Sequence, residues 1–80
     1  MPPGARYTDK QGQYLAFIYF TKIHGVAPAE SDMQRHFGVT PPSAHQMILA
    51  LEKRGLITRT PGTARSIRLT LPRAELPDLE

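Results

Sequence analysis

The stretch from Phe37 to Ile57 constrains the fold more than any other, because it holds a complete set of local stop and start signals. Gly38 follows an apolar residue, and only glycine enters the left-handed region without steric cost, so a helix ends there. Thr40 then stands where a capping oxygen is wanted. Pro41 and Pro42 fall in the first turn of the next helix, where a missing N–H costs little. Gly55 is the next stop. The predicted helix runs over residues 41–54, with Ala44, Met47, Ile48 and Leu51 on a buried stripe at spacings of three and four. His45, Gln46, Leu49 and Lys53 face elsewhere, so uncharged polar side chains project near the helix's amino end. Helix-turn-helix proteins read base edges from that part of their second helix, although any two-helix corner shares the outline.

The preceding chain supplies the scaffold. Thr8-Asp9-Lys10-Gln11 has the spacing of a capping box and opens a first helix that reaches about His24 before Gly25. Tyr14, Phe17, Ile18 and Thr21 share the arc assigned to the core. Ala16, Tyr19, Phe20 and Ile23 occupy the opposite arc, so this helix is apolar nearly all round and requires a cover. Two covers are available: the chain's own carboxyl-terminal segment, or a second copy in a homodimer. Val26-Ala27-Pro28 reads as an extended connector with a strand edge as its available partner. A short second helix from Glu30 to His36 buries Met33 and Phe37, but Ala29 gives it no capping side chain.

After Gly55 the period changes from helical to two. Leu56 to Thr60 and Arg65 to Leu71 read as strands, joined through a type II turn at Pro61-Gly62 and a loop extending to Ala64. Ile67, Leu69 and Leu71 face the helices, while Ser66, Arg68 and Thr70 face solvent. The fold class is therefore mainly α with a small β-hairpin, a winged helix-turn-helix of three helices plus wing. Residues 1–6 are expected as a flexible lead-in, 7–71 as the domain, and 72–80 as an acidic tail or the start of a linker.

Charge agrees with a polyanionic partner. Residues 1–73 carry ten Lys or Arg against Asp9, Glu30, Asp32 and Glu52, a balance of +6, and the remaining acids lie beyond them. Eighty residues without cysteine offer no disulfide framework and no cysteine-containing zinc site. His24, His36 and His45 lack metal-ligand spacing, and no serine lies in a glycine-rich elbow, so neither a metal, a cofactor nor an enzymatic activity is expected. The charge-free run Gln11 to Thr21 is too short to span a bilayer, and no basic-then-apolar signal opens the chain. A cytoplasmic protein with no membrane partner is the expectation.

The residues resemble the amino-terminal DNA-binding domain of the LexA repressor family. The similarity is carried by Tyr7 to Gln11, Phe17-Ile18, Gly25 to Pro28 with Asp32-Met33, Ala50 to Ile57, and Gly62 to Leu69. It implies that Thr40, Pro42, Ser43, His45 and Gln46 approach DNA from the recognition helix. His45, Gln46 and Pro42 depart from the family's usual residues, which implies a different operator. In full repressors of this family a linker with a cleavable Ala-Gly bond leads to a self-cleaving peptidase and dimerisation domain. The present sequence contains no Ala-Gly pair, so self-cleavage is not inferred.

Gln46 can pair bidentately with adenine, and His45 can donate to or accept from a base or phosphate. Thr40 and Ser43 are expected both to cap the helix and to touch phosphate. Arg59, Arg65 and Arg68 on the wing are expected at phosphates, one of them entering the minor groove. The resulting expectation is a sequence-specific double-stranded DNA-binding regulator, a repressor acting as a dimer. The alternative is a winged-helix protein–protein interaction module without sequence-specific DNA binding.

Overall fold

The computed structural model describes residues 7–80, so the expected lead-in over residues 1–6 lies outside the described residues. Three helices, α1 (Asp9–Ile23), α2 (Glu30–Phe37) and α3 (Pro41–Lys53), are followed by strands β1 (Ile57–Thr58) and β2 (Arg68–Leu69) and a 3₁₀ turn at Arg73–Glu75. The strands pair antiparallel with Ile57 opposite Leu69 and Thr58 opposite Arg68. This is the winged helix anticipated from the periodicities.

Each helix begins and ends for a local reason. At α1 the Gln11 amide donates to Thr8 Oγ1 at 3.1 Å and the Thr8 amide to Gln11 Oε1 at 3.0 Å, the reciprocal pair expected of a capping box. Ala29 caps α2 without a side-chain bond, yet its amide donates to Asp32 Oδ2 at 2.9 Å, so half of the missing cap is restored from within the helix. Gly38 closes α2 at φ 64°, and the Val39 amide returns to the Gln34 carbonyl at 3.2 Å.

The core lies where the three helices meet the hairpin. Tyr14, Leu15, Phe17 and Ile18 of α1 pack with Met33 of α2, Ile48 and Leu51 of α3, and Leu56, Ile57, Ile67 and Leu71 from the hairpin and its flanks. Phe37 joins this core by stacking on Tyr14, ring centroids 4.1 Å apart, and by an edge contact with Phe17 at 5.7 Å. Burial also pushes the Tyr14 phenol pKa up. Leu15 is fully buried although the sequence reading left it outside the core arc.

The outer face of α1 is covered in part by the chain itself. Segment 72–80 turns back along α1, where Leu76 is buried and the Arg73 guanidinium lies 5.5 Å from the centre of the Tyr19 ring. The Tyr7 hydroxyl donates to the Glu75 carbonyl, and Gln13 bonds both the Asp78 carbonyl and the Glu80 amide. Gly12 permits this approach, since a Cβ there would stand 2.9 Å from the Tyr7 ring and 3.1 Å from Pro77 Cγ. Ala16 is thereby buried within the chain, so for this part of the face the first of the two expected covers, the carboxyl-terminal segment, is the one present. Phe20, Ile23 and Val26 stay open, at 46, 58 and 62 % exposure.

The wing is shorter in strand and longer in loop than the alternation suggested. Ser66 Oγ accepts from the Thr60 amide at 3.0 Å and donates to the Thr60 carbonyl at 3.1 Å, standing in for the backbone partner that would have lengthened the ladder. Within that closure the Thr63 amide bonds the Thr60 carbonyl at 3.1 Å with Gly62 at φ 76°, as a type II turn requires. Among the described residues the connector before α2 pairs with no strand edge. Its Ala27 carbonyl instead accepts from the Arg65 guanidinium at 3.2 Å.

Candidate nucleic-acid interface

The amino end of α3 is built almost without free amides. Pro41 and Pro42 have none, the Ser43 amide donates to Thr40 Oγ1 at 3.3 Å, and the Ala44 amide to the Thr40 carbonyl at 3.0 Å. The two hydroxyls are also joined, Thr40 Oγ1 donating to Ser43 Oγ at 2.9 Å. Thr40 therefore caps the helix, while the Ser43 hydroxyl supports that cap and itself accepts no backbone amide among the described residues.

Beyond the cap, Ala44, Ile48 and Leu51 turn fully inward, which leaves Pro42, His45, Gln46 and Leu49 as one exposed stripe at spacings of three and four. Gln46 and Ser43 border a shallow groove with Gln11 and Met47, on the side toward the start of α1. His45 leans the other way, toward α2, where its Nδ1 lies 3.1 and 3.2 Å from the two carboxylate oxygens of Glu30. Leu49 was legible as outward-facing, but an apolar residue on a polar stripe carried no signal of its own.

The three wing arginines do not behave alike. Arg59 donates through Nη2 to Glu52 at 3.1 Å and through Nη1 to Glu30 at 3.4 Å, and its buried Nε has no hydrogen-bond partner among the described residues. Arg65 donates to Asp32 Oδ2 at 3.0 Å and to the Ala27 carbonyl. Arg68 is exposed, and its side chain makes no hydrogen bond or ion pair with the described residues. Two of the three guanidinium groups are thus directed at acids of the helices, a pairing that separations of 7, 29 and 33 residues hide from any local reading.

Asp32 gathers most of this charge. It accepts from the Ala29 amide, from Arg35 at 2.6 Å and from Arg65, and these bonds, the backbone one foremost, hold its carboxyl below the usual carboxylate range. Among the described residues no group of His, Cys, Asp or Glu side chains is placed to hold a metal, and no helix is long and apolar enough to cross a membrane.

A helical corner, an outward polar stripe on its second helix and an arginine-bearing hairpin now stand together, and residues 5–66 match the LexA DNA binding domain. The chain belongs to that family. It is 43 % identical to the LexA repressor of Thermosipho melanesiensis over 65 residues, 80 % of this chain and 33 % of that protein. Against the LexA repressor of Thermosipho africanus it is 44 % identical over 63 residues, 78 % of this chain and 32 % of that protein. The LexA repressor of Cupriavidus taiwanensis is 36 % identical over 78 residues, reaching 92 % of this chain and 36 % of its own length. This LexA-family domain therefore spans about a third of the curated relatives it matches.

Proposed function

We propose that the chain binds double-stranded DNA sequence-specifically, in the cytoplasm, and represses transcription by occupying promoter DNA. The observation that carries this reading is the exposed stripe of Pro42, His45 and Gln46 on the first turns of α3, in a chain of the LexA DNA-binding domain family. α3 enters the major groove, Gln46 pairs with adenine and His45 meets a neighbouring base edge. Thr40 and Ser43 lie against the backbone at the groove's rim.

The wing lies along the adjoining phosphates. Arg68 donates there directly. Arg65 reaches phosphate by exchanging Asp32 for it, and Arg59 contributes chiefly by holding Glu30 and Glu52 against each other's charge. The open apolar surface of Phe20 and Ile23 supports dimerisation on two half-sites, as paired helix-turn-helix proteins do on operators of twofold symmetry.

Titration of duplex DNA, selected from a random pool, tests the reading at two salt concentrations. Tight binding that weakens steeply with salt is expected. No binding at low salt would favour the protein–protein interaction module instead.

A further inference from the structure

Glu30 was not among the residues singled out for the interface, yet it holds the one base-reading side chain that leans on another element. An ionised carboxylate only accepts hydrogen bonds, so with both its oxygens 3.1 and 3.2 Å from His45 Nδ1, that nitrogen must carry the proton. The bond formed by one imidazole nitrogen decides what the other can do. Nε2 is left pointing away from Glu30, as an acceptor in the neutral ring.

Glu30 is itself fixed. Arg59 Nη1 reaches Glu30 Oε2 at 3.4 Å while Arg59 Nη2 reaches Glu52 Oε1 at 3.1 Å, so the first turn of α2 is tied to the last turn of α3 through a residue that follows β1. His45, Glu30, Arg59 and Glu52 form one continuous bracket that begins and ends on α3. A side chain held in this way enters a groove with its rotamer and tautomer already chosen, which lowers the entropy cost of a single correct contact.

We propose that Glu30 is a positioning residue for base recognition by His45: its carboxylate keeps Nδ1–H turned inward so that the Nε2 lone pair meets the base edge. This rests on the DNA-binding reading above. The acceptor selects an exocyclic amino group, N6 of adenine or N4 of cytosine, over the acceptor edge of guanine. With Glu30 removed the ring is free to place the proton on Nε2, which then donates to guanine N7 or O6.

Two measurements on the full chain test this. Long-range proton–nitrogen NMR at alkaline pH, without DNA, reads the His45 tautomer, with His45→Gln identifying its signals among the three histidines. Wild type and Glu30→Gln, whose amide oxygen still accepts, are expected as Nδ1–H, and Glu30→Ala as Nε2–H. An Nε2–H ring in the wild type overturns the proposal.

Selection from a random duplex pool then reads base preference. Glu30→Ala is expected to lose about tenfold of the preference for adenine or cytosine at one base pair. Glu30→Gln should keep it, and Glu30→Ala in a His45→Ala background should lose nothing further. Preference kept intact in Glu30→Ala overturns the proposal alone, as does an equal loss on every duplex accompanied by a lower melting temperature. A wild-type chain that prefers no duplex overturns the DNA-binding reading and the proposal with it.

Discussion

Arg65 occupies the left-handed backbone region at φ 56° and from there donates to Asp32 Oδ2 at 3.0 Å, closing the wing onto the start of α2. A non-glycine residue held in that region is strained, and the contacts of its guanidinium with Asp32 and the Ala27 carbonyl are what offset the strain.

Asp32 makes the fold sensitive to acid. Its pKa is depressed in the folded state, so its contribution is fully present above the ordinary carboxylate value of about 3.9 and is lost as pH falls through the lower folded value. Melting temperature measured from pH 6 downward is expected to fall most steeply in that acidic range. Asp32→Asn should flatten the profile there; an unchanged profile would mean that the carboxylate contributes nothing.

Gln46 is exposed and its side chain bonds no neighbour among the described residues, so its truncation reports chiefly on DNA. Gln46→Ala is expected to cost about 1–3 kcal/mol of discrimination at one base pair while stability stays within about 0.5 kcal/mol. Competition titrations with single-base-pair variants of the selected duplex measure the first, and thermal melts the second.

Arg68 should behave in the opposite way. Arg68→Ala is expected to weaken binding to all duplexes alike and to lower the slope of log K against log salt by about one phosphate contact. Loss confined to one sequence would show that Arg68 reads a base.

At Gly12 two effects oppose each other. Alanine gains up to about 1 kcal/mol of helix propensity, but its methyl would press on the Tyr7 ring and Pro77 that close over this turn. Gly12→Ala is therefore expected to lower the melting temperature and to expose segment 72–80 to limited proteolysis. A stabilised protein with a protected tail would show that the ring moves aside freely.

For self-association the informative residue is Ile23, 58 % exposed at the end of α1. Sedimentation at high micromolar concentration is expected to show dimers, and Ile23→Glu monomers, because a charge in a buried apolar contact lacks a partner. A wild-type monomer with and without DNA would remove the dimer.

The elements were legible wherever their causes are local. Thr8 with Gln11, Gly38, Thr40 with Pro41, and Gly55 each act within a few residues, and the structure begins or ends its helices at or within two residues of those positions. Contacts between distant residues were not legible. Periodicity marks Arg59 and Arg65 as outward on a hairpin, but it contains no term for Glu30 or Asp32 arriving from another helix. The apolar outer arc of α1 does call for a cover and admits the carboxyl-terminal segment as one of two, but nothing singles out Leu76, because a single leucine in a proline-rich segment has no period. At the interface, helical period alone marks the exposed side chains of α3, but it does not bring Glu30 of α2 to His45.

The proline pair at the head of α3 has a consequence for how such a domain holds a duplex. Many helices that abut nucleic acid moor themselves by giving a phosphate their first unbonded N–H groups, a contact indifferent to sequence. Here residues 41 to 44 have none to give, two by chemistry and two by prior engagement. The backbone of the rod is left without a mooring. On the reading proposed above, grip falls to side chains, the hydroxyls at the tip of α3 and the cations at its flanks, so the depth and tilt of α3 depend in part on the wing, and a change in the hairpin could retune what the helix reads without touching the helix.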